Sequence, residues 1–147
     1  MNYHFRYQKI LDVKENEKKK STKAYEESVE QFTKVANKLY ESLKKKEELT
    51  KLQQEKLTKG ISVHEMKHYQ QFVQNLEKTI EHYQQLVIFT RNNMNEKHAI
   101  LMEKHMEVKK YEKMKEKEYK RFLDQEKKAE RNLMDELSMN MYSFQRN

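Results

Sequence analysis

A single glycine and the complete absence of proline constrain this 147-residue chain more than any other feature of its sequence. Sheets and irregular folds need many turns, and turns depend on the backbone angles that glycine and proline supply. Charged residues make up 37% of the chain and hydrophobic residues 35%, a balance typical of long helices with a narrow apolar stripe. The composition therefore predicts an all-α protein.

One short segment, residues 59–62, carries the signals for a chain reversal. Gly60 can adopt the left-handed conformation that ends a helix. Ser62 and Glu65 have the spacing of a capping box, in which each side chain accepts a hydrogen bond from the other residue's amide. The sequence predicts a single domain over residues 1–147, built from a helix at about 5–58, a turn at 59–62 and a helix at about 63–141.

Apolar residues follow the three-and-four spacing of a heptad pattern along both predicted helices. The stripe of the first helix comprises Tyr25, Val29, Phe32, Ala36, Leu39 and Leu43. The stripe of the second comprises Tyr69, Val73, Leu76, Ile80, Tyr83, Val87, Thr90, Met94 and Leu101, and a looser continuation runs to Ala129 and Leu133. Stripes this narrow do not stabilise isolated helices, so each helix needs a partner.

A short turn makes the other helix of the same chain that partner. We therefore expect an antiparallel coiled-coil hairpin with a longer C-terminal helix. The end of that helix, from about Tyr119, should extend beyond the start of the first helix. Its apolar side chains should then need a binding partner to bury them.

The absence of cysteine and of long apolar runs excludes several classes of protein. No disulfide or cysteine nucleophile can form, and no segment has the roughly 18 apolar residues of a membrane span. The net charge of +7 favours an acidic partner surface. Arginine is scarce and lysine dominates the basic residues, so we expect no nucleic acid partner. Because no long apolar run is present, we also expect no direct membrane insertion.

One motif resembles a zinc-protease signature, because His64, Glu65 and His68 fit the pattern H-E-x-x-H. A zinc protease also needs a third ligand and a cleft that excludes water, and a two-helix hairpin provides neither. Glu65 is already explained as a capping residue at a helix start. We therefore expect no catalytic residue, no metal site and no cofactor, and the protein is predicted not to be an enzyme.

Two further features have two interpretations each. Phe72 lies beside the second stripe, with Leu86 in the same row, so either the apolar stripe is broad or these residues belong to a docking surface. The C-terminal methionines, such as Met134 and Met141, either fill a loose seam or form an apolar surface that adapts to partners.

Three stretches of the sequence are distinctive: residues 5–11 (FRYQKIL), 69–80 (YQQFVQNLEKTI) and 130–137 (ERNLMDEL). They resemble the FliJ family, the coiled-coil components of the bacterial flagellar type III export apparatus. The resemblance implies a cytoplasmic protein at the inner face of the cell membrane, at the base of the flagellum. It also implies a stalk that inserts into the hexameric export ATPase, promotes its assembly, and contacts the cytoplasmic domain of the membrane export gate and export chaperones.

The resemblance also implies two sets of contact residues. The gate-facing set is Tyr69, Phe72, Leu76, Thr79 and Tyr83, although Thr79 and Tyr83 depart from better-known relatives, as do Lys38, Ser42 and Lys45 on the first helix. The ATPase-facing set is Phe5, Tyr7, Ile10, Leu11, Leu133, Asp135, Glu136 and Leu137. The alternative function is a generic coiled-coil scaffold or an export-substrate chaperone.

Overall fold

A computed structural model describes residues 3–146, which form two long helices and no strand. Helix α1 is Gln8–Lys59, with 52 residues, and helix α2 is Val63–Arg146, with 84 residues. The helices pack against each other, which confirms the all-α coiled-coil hairpin with a longer C-terminal helix. Contacts group the chain into two units, one of residues 3–19 with 103–146 and the other of residues 20–102. The single domain over residues 1–147 stays a prediction.

In both units the two helices are antiparallel, because the residue number on one helix falls as its partner's number rises. In the unit of residues 20–102, Tyr25 lies beside His98 with ring centroids 5.3 Å apart, and Lys46 pairs with Glu77 at 3.5 Å. In the other unit, Lys14 pairs with Glu107 at 3.2 Å, and Glu17 pairs with Lys104 at 3.3 Å.

The reversal between the helices has two of its predicted features, the left-handed Gly60 and the N-cap Ser62. Gly60 has a φ of 89°, the left-handed conformation in which residues with a Cβ are strained. A Cβ at this position would meet nothing within 4 Å, so the backbone conformation and not lack of space requires glycine. The Glu65 amide donates to Ser62 Oγ at 3.2 Å, which confirms Ser62 as the N-cap of α2. The turn itself comprises residues 60–62.

The seam of α2 is confirmed, since every predicted stripe residue from Tyr69 to Leu101 is buried or half-buried. The same heptad steps continue through Lys104, Val108, Tyr111, Lys115, Glu118 and Phe122. Beyond Phe122, residues 123–145 are all exposed, including Ala129 and Leu133, so the predicted continuation of the seam to those two residues is wrong.

The predicted seam of α1 is wrong at Leu43, whereas its other five residues are half-buried. The residues that face α2 include Ser28 and Ser42, which are 1% and 8% exposed, whereas the predicted Leu43 is 44% exposed. Val29 and Ala36 lie at the flank and are half-buried. The prediction followed hydrophobicity, but the two serines can be buried because their hydroxyl groups have partners within the helix. Ser28 Oγ donates to the Tyr25 carbonyl at 2.6 Å, and Ser42 Oγ to the Lys38 carbonyl at 2.9 Å.

Helix α1 begins three residues later than predicted because residues 3–7 fold back onto α2. The Gln8 amide donates to the Phe5 carbonyl at 3.2 Å, and Phe5 itself is only 3% exposed. Phe5 forms an apolar cluster with Leu11 and Val108, against which further side chains pack: Tyr3, Tyr7, Tyr111 and Met114. The aromatic residues that precede α1 therefore supply much of the core of this unit.

Candidate functional site

An apolar depression in the unit of residues 20–102 surrounds Phe72, whose side chain is 57% exposed. We call it the Phe72 groove, and its apolar walls comprise Leu49, Leu52, Tyr69 and Phe72. The seam does not cover these side chains, because the interface of a two-stranded coil is only one stripe wide. The groove favours the docking interpretation of Phe72 over that of a broad buried stripe.

The other residues of the gate-facing set surround Phe72 at different depths. Tyr69, Leu76 and Tyr83 are half-buried on the seam, so each presents only one edge to solvent. Thr79 is exposed, and its hydroxyl group donates to the Asn75 carbonyl at 3.2 Å. The structure therefore places the whole set on one stretch of α2, with Phe72 and Thr79 outermost.

Helix α1 also contributes to the groove. Lys45 and Glu48 border the groove next to Leu49 and Leu52. Ser42 is buried in the seam, and Lys38 is exposed with Glu41 at 3.9 Å. The sequence-based set omitted Leu49 and Leu52. Their apolar character, at positions beside the stripe, is the sequence signal that could have identified them.

The N-terminal members of the ATPase-facing set belong largely to the core. Phe5 and Leu11 are each 3% exposed. Tyr7 is half-buried, and its ring meets that of Phe5 edge-on with centroids 6.0 Å apart. Only Ile10, at 40% exposed, presents a large apolar area to solvent.

The C-terminal members of the set are all exposed and lie apart from the N-terminal members. Leu133 and Leu137 are 58% and 51% exposed, and Asp135 and Glu136 between them are exposed as well. The N-terminal segment contacts α2 as far as Phe122. Leu133 lies eleven residues further, about 16 Å along the helix axis. The structure therefore does not bring the two groups into one site.

We call residues 123–145 of α2 the C-terminal arm, because no residue in this range is buried or half-buried. Its apolar side chains recur at helical spacing on one side and include Leu133, Leu137, Met141 and Phe144, the last of which is 89% exposed. An apolar stripe on an uncovered helix is typical of a surface that binds another protein.

Next to the apolar cluster, four charged side chains bridge α1 and α2. Lys14 Nζ lies 3.2 Å from a solvent-shielded oxygen of Glu107, and Lys104 Nζ lies 3.3 Å from Glu17. The hydrogen bond from Lys104 lowers the pKa of Glu17, and the hydrogen bond to Glu107 raises the pKa of Lys14. Such a network penalises any shift of one helix past the other, because a shift would separate both pairs.

The histidine motif forms the first turn of α2. The His64 and His68 rings lie 4.8 Å apart, and the intervening Glu65 follows the N-cap. Within residues 3–146, no group of three or more His, Cys, Asp or Glu side chains could hold a metal ion. The structure thus supplies no third ligand to this pair.

Neither α1 nor α2, in the part of the chain that the structure describes, is long and apolar enough to cross a membrane.

Comparison with known proteins identifies the family of the chain. Residues 3–147 match the family model described as the flagellar FliJ protein. The chain is also 53% identical to the flagellar FliJ protein of Bacillus subtilis (strain 168) over 145 residues, which cover 99% of each sequence. No solved structure matches the chain. The protein therefore belongs to the FliJ family and is a component of the flagellar export apparatus.

Proposed function

We propose that this protein is a non-enzymatic stalk that inserts into the hexameric flagellar export ATPase and promotes assembly of the ring. The stalk also links the ATPase to the cytoplasmic domain of the membrane export gate and to export chaperones. These contacts place the protein at the inner face of the cell membrane, at the base of the flagellum. Family membership supports the setting, and the exposed C-terminal arm supports the contact with the ATPase.

The C-terminal arm is the observation that carries the proposal. A single exposed helix with an apolar stripe is marginally stable in water. A surrounding protein ring would cover Leu133, Leu137 and Phe144 on all sides. A stalk that binds the hexamer more tightly than the ATPase monomer shifts the equilibrium toward the hexamer, by ordinary linkage.

The contact residues divide into two roles under this proposal. Leu133, Asp135, Glu136 and Leu137 contact the ATPase directly, because all four are exposed on the arm. Phe5 and Leu11 act indirectly, because their side chains are buried and hold α2 in place. Of the N-terminal set, Ile10 and the exposed edge of Tyr7 remain accessible to a partner.

The Phe72 groove is the proposed contact with the export gate. Its exposed aromatic ring, flanked by Leu49 and Leu52, can bury an apolar side chain of the gate domain. Tyr69, Leu76, Thr79 and Tyr83 form the surrounding contact surface. The groove lies in the unit of residues 20–102 and the arm in the other unit, so one protein can offer a separate surface to each partner.

The ATPase contact is tested with the cognate flagellar export ATPase by measuring ATP hydrolysis and the size of the ATPase oligomer. The protein should increase both, and the double variant Leu133→Ser, Leu137→Ser should lose the increase. The control is Met139→Ser, on another side of the arm and 74% exposed, which should behave as the unchanged protein does. No effect of the unchanged protein on either quantity would contradict the stalk role.

The gate contact is tested by titrating the protein with the cytoplasmic domain of the export gate. Phe72→Ala should weaken binding, whereas Phe89→Ala should not, although Phe89 lies on the same helix and is 70% exposed. Equal losses in the two variants would show that the Phe72 groove is not a specific contact.

Sedimentation separates the stalk from the alternative scaffold or chaperone. A stalk that docks onto larger partners should sediment as a monomer at micromolar concentration. A stable dimer that dissociates in the Leu133→Ser, Leu137→Ser variant would show that the arm pairs with itself and would favour the scaffold.

A further inference from the structure

The side of α2 that faces away from α1 carries a row of exposed cations between residues 109 and 131. We call this row the basic stripe. It comprises Lys109, Lys110, Lys113, Lys117, Lys120, Arg121, Lys127, Lys128 and Arg131, all of which are exposed.

The spacing of these residues places them on one side of the helix. Neighbouring positions of the row are three or four residues apart, the interval at which side chains of an α-helix are neighbours. Asp124 takes the position between Arg121 and Lys127. The intervening residues Val108, Tyr111 and Phe122 lie on the seam, so the stripe points to solvent. From Lys109 to Arg131 it is about 33 Å long at 1.5 Å per residue.

Opposing charge lies mainly at the borders of the basic stripe, where Glu112, Glu116, Glu118 and Glu130 are each three residues from a stripe cation. Asp124 is the one acidic residue within the row. Glu116 borders the row and lies 3.7 Å from Lys120, in a pair whose two side chains are both about 70% exposed. A pair this exposed is screened by water and leaves the positive charge of the stripe largely available.

The stability of the hairpin does not explain the basic stripe. Cations three or four residues apart repel one another and destabilise a helix, as Lys113 and Lys117 or Lys117 and Arg121 do here. None of the nine side chains contributes to the seam. A partner that neutralises the row would remove this cost, so the pattern favours an intermolecular role.

We propose that the basic stripe binds an elongated acidic surface of a protein partner, such as a helix face with carboxylates at matching intervals. The recognition is a series of lysine–carboxylate contacts along a straight row, which gives attraction over a distance and a preferred alignment. The stripe is separate from the apolar side of the C-terminal arm and from the Phe72 groove. The inference therefore does not depend on the proposed contacts with the ATPase and the gate.

The residue types on this face favour protein over lipid or nucleic acid. Helices that bind a membrane surface also insert apolar side chains, and the basic stripe contains none between Lys109 and Arg131. Nucleic-acid sites combine cations with aromatic rings that stack on bases or with arginine forks. Here seven of the nine cations are lysine, and no aromatic residue belongs to the row.

The test compares two full-length variants of equal net charge. The stripe variant carries Lys113→Gln, Lys117→Gln, Lys120→Gln and Arg121→Gln. The control carries Lys19→Gln, Lys20→Gln, Lys23→Gln and Lys44→Gln, four residues of α1 that are also exposed. Glutamine is a good helix former, so circular dichroism should show unchanged helicity in both variants.

Three probes are titrated under the same conditions: fluorescent poly-L-glutamate, vesicles of phosphatidylglycerol and phosphatidylcholine, and duplex DNA. The stripe variant should bind poly-L-glutamate roughly tenfold to a hundredfold more weakly than the unchanged protein, since each exposed ion pair contributes modestly. On a logarithmic scale, the control substitutions should weaken binding to poly-L-glutamate by less than half as much as the stripe substitutions do. Binding by the unchanged protein should weaken as salt is raised.

Two other outcomes would overturn the proposal. Equal losses in the two variants would show that net charge and not the row is responsible. If the stripe substitutions weaken binding to vesicles or to DNA more than binding to poly-L-glutamate, the row would be assigned to lipid or to nucleic acid. The unchanged protein could leave ATP hydrolysis and oligomer size of the ATPase unaffected while binding to poly-L-glutamate still requires the stripe. That result would contradict the proposed stalk but not this inference.

Discussion

Phe5 and Phe144 are the same residue type near the two ends of the chain, yet their surroundings are opposite. Phe5 is 3% exposed and packs against Leu11 and Val108, whereas Phe144 is 89% exposed. Apolar side chains contribute to stability only when folding removes them from water. The N-terminal aromatic residue therefore stabilises the hairpin, and the C-terminal one is available to a partner.

The substitution Phe5→Ala should lower the free energy of unfolding by about 3 kcal/mol, the low end of the range for a large side chain removed from a core. Urea denaturation followed by circular dichroism measures this change. Hydrogen exchange should also accelerate in residues 8–14 and 104–111, which border the apolar cluster.

Phe144→Ala is the matched control, and its effect on the free energy of unfolding should stay within about 0.5 kcal/mol. Equal effects of the two substitutions would show that residues 3–7 do not pack on α2 in solution.

The charged network of Lys14, Glu17, Lys104 and Glu107 makes stability depend on pH. The hydrogen bond from Lys104 lowers the pKa of Glu17 below its ordinary value of 4.5. A carboxyl group with a lower pKa in the folded state stabilises that state above the pKa of the unfolded chain. The contribution is therefore present at neutral pH and is lost as the pH falls below about 4.5.

The variant Glu17→Gln should accordingly melt at a lower temperature than the unchanged protein at pH 7, and the difference should shrink at pH 3.5. Thermal unfolding at the two pH values measures the difference. Glu30→Gln is a suitable control, because the pair of Glu30 with Lys34 lies on one exposed helix surface. A difference that grows on acidification would contradict the role of Glu17.

At the scale of the helix, the seam of α1 contains hydroxyl side chains where an ordinary coiled coil has leucine or isoleucine. Ser28 and Ser42 are buried, and their hydroxyl groups bond to carbonyl groups of the preceding turn. The heptad phase is thus set by the residues that fit against α2 and not by those that are most apolar. Leu43, one residue after Ser42, is left 44% exposed.

The substitution Ser28→Leu should therefore destabilise the hairpin by about 1–3 kcal/mol, the range for excess volume in a packed interface, even though leucine is more apolar. Urea denaturation provides the measurement. Thr33→Leu is the control, because Thr33 makes the same kind of bond to a carbonyl but is exposed. A stabilised Ser28→Leu variant would show that this seam position is not tightly packed.

The reversal between the two helices depends on the backbone of one residue. Gly60→Ala should lower the free energy of unfolding by about 1–2 kcal/mol, because alanine is strained in the left-handed conformation. Gly60→Asn should cost less, since asparagine tolerates that conformation better. The same denaturation experiment compares the two, and equal stability of Gly60→Ala and the unchanged protein would contradict the φ of 89° found here.

At the scale of the whole molecule, stability and partner binding are assigned to different residues. The apolar cluster and the charged network stabilise the unit that includes α2 up to Phe122, and the C-terminal arm adds nothing to the core. The segment of α2 that packs in the hairpin and the C-terminal arm that is exposed for a partner are consecutive on the same helix.

Removal of residues 126–147 should leave the free energy of unfolding unchanged to within about 0.5 kcal/mol, as for surface changes in general. The same deletion should abolish stimulation of the export ATPase, because it removes Leu133 and Leu137. Denaturation and hydrolysis assays on the same preparation check both statements. A large loss of stability would show that the arm packs on the rest of the chain.

The sequence by itself determined the features that depend on local chemistry. The reversal at Gly60, the N-cap at Ser62 and the seam of α2 from Tyr69 to Leu101 were all predicted correctly. Backbone conformation and helical periodicity are properties of a few neighbouring residues, so a single sequence contains them. The same periodicity placed Phe72 beside the stripe, but only the structure decided that its side chain is exposed.

The tertiary structure alone decided the features that depend on which residue lies opposite. Burial of Phe5 requires Val108, more than one hundred positions away in the chain, and the choice of Ser28 and Ser42 for the seam depends on the side chains of α2. The two halves of the ATPase-facing set, joined by resemblance, are separated because the contacts of residues 3–7 end at Phe122. Packing between residues that are far apart in the sequence decides which side chains are buried together, and no local sequence pattern encodes this packing.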